Sequence, residues 1–189
     1  MDPFSYLSVL ISIILGLAIT QILKGVRGMV LARARVVPYW PTFVFAGLLL
    51  AISVQSWWSL FAMRNIPTSA WTFSMFAFVL AQTIAWYMLA ALVLPDFFGE
   101  QPDDLRAHYF AHRQVFFGLF IVALAISLCR DLSNDAYPAD RVDLAFQLYF
   151  VAVSIGGFLI KRDWYHKSMC VMSAVAFAVY IGLLHERLR

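Results

Sequence analysis

The chain has 189 residues, of which 62% are hydrophobic, 16% aromatic and only 13% charged. A soluble domain carries about 25% charged residues, and folded soluble proteins already expose a largely apolar surface at that composition. The composition therefore excludes an ordinary soluble domain and predicts an integral membrane protein. We interpret the formal net charge of +3 as basic residues beside anionic lipid headgroups rather than as a nucleic-acid-binding surface.

Six apolar stretches are long enough for transmembrane helices, each of which needs about 20 residues. None carries Lys, Arg, Asp or Glu away from its ends, and such a charge at the bilayer centre costs about 2.5–3.5 kcal/mol on insertion scales. The sequence predicts an all-α, six-pass helical bundle that forms a single domain over residues 1–189, with no soluble domain. The predicted spans are 5–23, 40–63, 70–94, 114–129, 142–160 and 168–184.

Two of these spans are expected to extend as helices beyond their apolar stretch. The first has no strong helix breaker before about Arg35. A second helix is predicted to begin after Pro102, because Asp103 and Asp104 suit the positive end of a helix dipole, and to run into the fourth span. Basic residues follow the first apolar stretch rather than precede it, so we expect a retained span and not a cleaved signal peptide.

The orientation is predicted from the basic residues between the spans. Nine Lys and Arg residues lie in the odd-numbered loops, and five lie on the other side. Cytoplasmic loops carry the excess of Lys and Arg, so both termini are predicted on the non-cytoplasmic side of a plasma or bacterial inner membrane. The nine are Lys24, Arg27, Arg33, Arg35, Arg106, Arg113, Lys161, Arg162 and Lys167; the five are Arg64, Arg130, Arg141, Arg187 and Arg189.

Small residues recur at four-residue spacing in the first and sixth spans. This spacing keeps them on one helix face, and small residues let membrane helices approach closely. We interpret them as packing surfaces within the chain or between protomers. The predicted partners are therefore membrane lipids and either a second copy of the chain, in a homo-oligomer, or another membrane protein. The alternative is a pore lined by the first-span hydroxyls. The two sets are Ser8, Ser12, Gly16 and Thr20, and Cys170, Ala174, Ala178 and Gly182.

Four glutamines, Gln21, Gln55, Gln82 and Gln147, lie in four different predicted spans. An amide is costly to bury in hydrocarbon without a hydrogen-bond partner. The four are expected either to bond between helices or, together with Thr20 and Tyr87, to line a path for a polar solute. The ring of Tyr87, like that of its neighbour Trp86, is also a candidate for a pocket wall.

His108 and His112 lie four residues apart, and Asp104 precedes them by four on the same predicted helix face. Such a set suits a divalent metal, although metal sites need three or four ligands. Metal binding, pH sensing and plain solvation therefore all stay open, and no cofactor is indicated. Asp163 and His166 are expected in a loop on the same side.

A basic helix face follows the first span and is interpreted as a lipid-headgroup contact; it consists of Lys24, Arg27 and Arg35. The sequence contains no Gly-x-x-x-x-Gly-Lys loop, no Gly-x-Ser-x-Gly elbow and no Cys-x-x-Cys. No carboxylate or histidine is predicted at mid-membrane, which disfavours proton-coupled transport and transmembrane cytochromes.

These observations favour a non-catalytic membrane protein that acts as a sensor, scaffold or accessory subunit through the packing of its helix faces. The alternative is a passive channel or facilitator for a small neutral or weakly polar solute, which would use the buried amides. A membrane enzyme or metal-binding protein that uses the cytoplasmic histidines and acids comes third, because nucleophile, base and orienting group cannot all be named.

Overall fold

The computed structural model describes residues 3–64, 72–95, 103–133 and 141–187, most of which lie in six α-helices. Every one of the six is long and apolar enough to cross a bilayer. The prediction of an all-α bundle of six spans is confirmed, and the described residues contain no soluble domain. The helices are α1 (Pro3–Leu31), α2 (Trp40–Met63), α3 (Phe73–Leu92), α4 (Leu105–Ser133), α5 (Arg141–Leu159) and α6 (Asp163–Arg187).

The helices pack as a closed ring in the order α1, α3, α4, α5, α6 and α2, and α2 returns to α1. Helix α2 also reaches α3 and α4 across the inside of the ring. We call the end at which α1 begins and α6 ends the terminal end. The other end, at which α2, α4 and α6 begin, is the opposite end.

Large apolar side chains face outward from every helix. Because contiguous exposed apolar surface of this extent is not carried by soluble monomers, lipid is the solvent that suits it, and the chain is an integral membrane protein. One exposed residue from each helix, α1 to α6, is Leu17, Val54, Ile84, Val122, Ile155 and Val175.

The buried core is unevenly distributed between the two ends. A large aromatic and aliphatic cluster fills the bundle from its middle to the opposite end, whereas a small separate cluster holds α1, α2 and α3 together toward the terminal end. Among the described residues, the bundle is therefore densely packed at the opposite end and less densely packed at the terminal end. The large cluster includes Phe45, Leu49, Trp86, Leu89, Tyr109, Phe116, Phe117, Phe120 and Met169; the small one consists of Ile11, Leu15, Leu60, Met75 and Val79.

The start of α4 lies at Leu105, slightly later than predicted. Asp103 and Asp104 form a two-residue parallel pairing, β2, with Val36–Val37, β1. The carboxylate of Asp104 accepts the backbone N–H of Arg106 at 2.8 Å and that of the next residue at 3.2 Å, which caps the helix. Helix α1 ends at Leu31 rather than near residue 35, because the chain becomes extended at Val36–Val37, where this pairing forms.

Two helices extend into segments that were predicted as loops. Helix α4 continues past residue 129 and carries Arg130 and Asp131, while α6 begins at Asp163 and includes His166 in its first turn. At 1.5 Å per residue the 29-residue α4 is about 44 Å long, which exceeds the ~30 Å hydrocarbon thickness. Its charged ends therefore reach the interfaces, where apolar composition no longer marks the helix. The predicted start of the third span at residue 70 lies outside the described residues.

Glycines on α5 bring this helix against its neighbours. A Cβ atom added at Gly157 would lie 2.8–2.9 Å from the ring of Phe117 on α4, and one added at Gly156 would collide with the hydroxyl of Tyr165. Gly25 on α1 meets Leu94 in the same way. The close helix approaches therefore use glycines outside the two four-residue stripes.

Candidate functional site: a cavity at the terminal end

A cavity of about 400 Å³ lies between the helices toward the terminal end, and residues from all six helices line it. This volume is within the usual range of small-molecule sites, about 300–1,000 Å³. The cavity exists because the large core cluster fills only the other part of the ring. Its position follows from the uneven core rather than from a local loop.

The polar side chains of the lining lie mainly toward the terminal end, where Trp58, Phe61 and Phe146 also line the cavity. On α4 the lining runs from Phe120 to Asp131, eleven residues or about 16 Å along the axis. We call the deep part the aromatic floor, which consists of Trp86, Phe120, Phe150 and Phe177. The part nearer the terminal end is the polar mouth, formed by Gln55, Ser56, Ser59, Gln82, Ser127, Arg130, Asp131, Asp143, Gln147 and Tyr180.

An ion pair between Arg130 and Asp131 organises the polar mouth. The Nη2 atom of Arg130 lies 2.9 Å from Oδ1 of Asp131, and the two side chains are 17% and 9% exposed. The guanidinium also donates to Oε1 of Gln82 at 2.9 Å and to Oγ of Ser127 at 3.3 Å. Four donations thus hold the guanidinium in place, because its Nε atom also bonds Asp131. The pair is a fixed charge arrangement and not a mobile surface contact.

Gln147 extends this network from α4 to α5. Its Nε2 atom donates to Oδ2 of Asp131 at 3.0 Å. Its Oε1 atom is buried and has no hydrogen-bond partner among the described residues. Since buried acceptors are rarely left unpaired, this amide oxygen is a candidate acceptor for a donor group of a ligand.

Asp143, in the first turn of α5, is the third charged residue of the lining. It is partly buried, accepts a hydrogen bond from Tyr180, and interacts electrostatically with Asp131 and Arg130. Among the described residues one guanidinium and two carboxylates line the cavity, which gives one net negative charge when both carboxylates are ionised.

The four predicted glutamines are not all in one place. Gln55, Gln82 and Gln147 line the cavity, whereas Gln21 donates to the Tyr87 hydroxyl at 3.2 Å in a separate α1–α3 contact. Thr20 is exposed, and its hydroxyl bonds the carbonyl oxygen of residue 16 within its own helix. Trp86, which the sequence proposed as a pocket wall, forms part of the aromatic floor.

Sequence reasoning missed Arg130, Asp131 and Asp143, because it placed them at or beyond span ends. One signal was available. Ser127, Arg130 and Asp131 are spaced by three and four residues, as on one face of a helix, so a fourth helix continued by one turn would have placed them together.

A second polar cluster lies at the opposite end, around the fully buried His166. Its Nε2 atom is 2.8 Å from the carbonyl oxygen of Ile160, which only accepts, so Nε2 carries the hydrogen and Nδ1 accepts the hydroxyl of Tyr109 at 2.8 Å. Both ring nitrogens are satisfied, and the rings of Phe110 and Phe117 pack around the imidazole. These contacts fasten the start of α6 to α4.

Asp163 joins the same end of the bundle to the segment before α2. It accepts the Tyr39 hydroxyl at 3.0 Å and pairs with Lys167 at 2.6 Å and with Arg106 at 3.3 Å. Burial, and in second place the bond to Asp163, raises the pKa of Tyr39 well above its ordinary value, so this phenol stays a neutral donor. The cluster has a structural explanation in full.

The predicted histidine pair lies side by side on α4, with ring centroids 4.4 Å apart. His108 contacts the carbonyl oxygen of Leu92 at 3.1 Å, and His112 contacts that of residue 108 at 3.0 Å. Asp104 is engaged as the helix cap. In the part of the chain that the structure describes, no three His, Cys, Asp or Glu side chains converge on a common metal position. Metal binding by this pair stays a prediction.

The two small-residue stripes lie largely outside the packed interior. Gly16 and Gly182 have no atom within 4 Å of an added Cβ, and both are exposed. Only Cys170 is fully buried, with its thiol 3.6 Å from the carbonyl oxygen of Pro41. Contact of these faces with lipid or a second chain stays a prediction, as does the headgroup contact of Lys24 and Arg27 on α1 and of Arg35, which lies after the end of that helix. Of the remaining members, Ser8, Ser12 and Ala174 are half-buried and Ala178 is exposed.

Comparison of the chain with protein-family models, with characterised proteins and with solved structures finds no match, so the proposal that follows rests on the geometry of the cavity.

Proposed function

We propose that this membrane protein is non-catalytic and binds a small amphiphilic molecule in the cavity at its terminal end, as a sensor or accessory subunit would. The observation that carries the proposal is the order of the lining, a polar mouth above an aromatic floor. Ligand sites are concave and mostly apolar, with a few polar groups that fix orientation. A molecule with an aromatic or short aliphatic body and one polar group matches that order.

The closed opposite end favours binding over passage. Below the aromatic floor the ring is filled by the large core cluster, including Phe45, Phe116 and Phe117 in mutual ring contact. A solute that crossed the bundle would have to displace these packed rings. A passive facilitator is the second proposal, because three of the four glutamines predicted to line a solute path do line the cavity.

We also propose that the terminal end faces the non-cytoplasmic side of a plasma or bacterial inner membrane. The support is the excess of basic residues near the opposite end. Eight of the counted residues lie on helices and not in loops. Among the described residues outside the helices the excess stays at the opposite end, with Arg33, Arg35, Lys161 and Arg162 there and Arg64 at the terminal end. The ligand would then enter from outside the cytoplasm.

Filling the cavity with a larger side chain is expected to weaken ligand binding. Ser56, a half-buried residue of the polar mouth, is replaced by tryptophan, whose ring would occupy the space a ligand needs. We expect calorimetry in nonionic detergent to show saturable binding of phenylpropanol, used as the probe, that weakens about tenfold or more in Ser56→Trp.

Ser168→Trp is the matched control, because Ser168 is exposed at the opposite end and lies outside the cavity. It should bind phenylpropanol as the original chain does. Equal binding by Ser56→Trp, or no saturable binding by the original chain, would count against the proposal. Phenylpropanol flux into liposomes that depends on the protein and stops in Ser56→Trp would instead favour the facilitator.

A further inference from the structure

We propose that the cavity selects an amphiphile with a cationic head, an ammonium group that lies beside Asp143 and against the rings of Phe146, Phe177 and Tyr180. This inference rests on the proposed function, because it names the class of ligand for the same cavity. It depends on the charges of the lining, on how they are compensated, and on which rings stand next to the uncompensated carboxylate.

Among the described residues, one guanidinium and two carboxylates line the cavity. The positive charge of Arg130 is matched by Asp131, its neighbour at 2.9 Å, and both carboxylate oxygens of Asp131 already accept hydrogen bonds. Arg130 is therefore a weak binding partner for an anionic ligand, because the ligand would have to compete with the carboxylate of Asp131, which is already bonded to the guanidinium. Asp143 is the carboxylate left over.

Asp143 has a hydroxyl partner but no ion-pair partner among the described residues. Its hydrogen bond comes from the hydroxyl of Tyr180, and no Lys, Arg or His of those residues lies within ion-pair distance of it. A nearby cation stabilises a partly buried carboxylate at a membrane interface more than it stabilises a fully solvated one, because water screens the interaction less there than in bulk solution. An ammonium group supplies that charge together with hydrogen-bond donors.

Aromatic rings lie beside this carboxylate. Phe146 lies one turn after Asp143 on α5, and its ring centroid is 5.0 Å from that of Tyr180 in an edge-on arrangement. The ring of Phe177 lies 6.4 Å from that of Tyr180. All three line the cavity. Ring faces attract ammonium groups, so this corner offers a carboxylate beside aromatic rings. Phe177 belongs both to the corner and to the aromatic floor, and the other floor residues would contact the apolar part of the ligand.

Three probes of one shape test the charge selectivity: phenylpropylammonium, phenylpropanol and phenylpropanoate. We expect the full chain in nonionic detergent to bind the ammonium about tenfold more tightly than the alcohol, and the carboxylate most weakly of the three. Asp143→Asn should remove about this tenfold preference, so that the ammonium and the alcohol bind with similar affinity. Asp143→Glu should restore most of it.

Asp163→Asn is the matched control, because it removes the same charge at the opposite end and should leave all three affinities as they are. Equal binding of ammonium and alcohol by the original chain would overturn the charge inference and keep the proposed cavity. Tightest binding of phenylpropanoate would overturn it as well. If none of the three binds, the proposed function fails together with the inference. A circular-dichroism spectrum of Asp143→Asn like that of the original chain shows that the variant is folded.

Soluble amines and ethanolamine lipid headgroups both carry an ammonium group. Varying the lipid of the bilayer tells which of the two is the ligand. Phenylpropylammonium binding is compared in discs of an ethanolamine phospholipid and in discs of a neutral glycolipid. Weaker apparent binding in the ethanolamine discs, lost in Asp143→Asn, supports a competing lipid headgroup as the ligand. Equal affinity in both discs, with the same dependence on Asp143, supports a soluble amine.

Discussion

Arg130→Met is expected to lower the stability of the bundle by about 3 kcal/mol. The change removes the cation beside Asp131, whose side chain is only 9% exposed, and leaves an uncompensated carboxylate inside the polar mouth. Breaking a buried pair by removing one partner costs about 3–5 kcal/mol, and the position near the interface favours the lower value. Unfolding in mixed micelles, followed by circular dichroism, measures the change.

Two further variants make this result specific. In Arg130→Met combined with Asp131→Leu both charges of the pair are removed, and most of the stability should return. Arg106→Met removes the same group from the Asp163 pair, but Arg106 is 60% exposed, so a loss under about 1 kcal/mol is expected. A double variant as unstable as Arg130→Met alone would contradict our account of the network.

His166→Ala is expected to destabilise the opposite end by about 3 kcal/mol. The imidazole is fully buried, and its loss leaves the hydroxyl of Tyr109 and the carbonyl oxygen of Ile160 without their partner as well as opening a void among packed rings. The same unfolding measurement tests this prediction.

His112→Ala is the control for this variant, since His112 is exposed and contacts only its own helix among the described residues. Its stability should change by less than about 0.5 kcal/mol. If His166→Ala were as stable as His112→Ala, the cluster would not fasten α6 to α4. Ligand binding at the terminal end should be retained by His166→Ala, because the two sites share no residue.

The six spans could be predicted because hydrocarbon demands about 20 apolar residues per crossing, and composition reports that demand directly. The helix ends could not, because a helix such as α4 continues into the interface, where Arg130 and Asp131 are tolerated. Apolar composition stops at residue 129, but the backbone hydrogen bonding does not.

The candidate site was only partly predictable. The cost of a buried amide singled out Gln55, Gln82 and Gln147 without showing that they converge, because convergence depends on which helices are neighbours. The ring order places α3, α4 and α5 together, α2 with Gln55 reaches α3 and α4 across the inside of the ring, and no local pattern encodes that arrangement. The role that we propose for Asp143 depends on tertiary contacts alone, in particular on the contact with Tyr180, which lies 37 residues further along the chain.

The most direct test of the account is whether the cavity opens on one side only. Gln55→Cys in the polar mouth and Ser154→Cys, buried beneath the aromatic floor, are each made in a chain with Cys129→Ser and a C-terminal tag. A small charged thiosulfonate reagent is applied to intact cells and to inverted vesicles. We predict reaction of Gln55→Cys only from the side that exposes the tag, outside the cell, and no reaction of Ser154→Cys from either side. Reaction of Gln55→Cys from both sides would contradict a one-sided binding cavity and establish a route through the bundle.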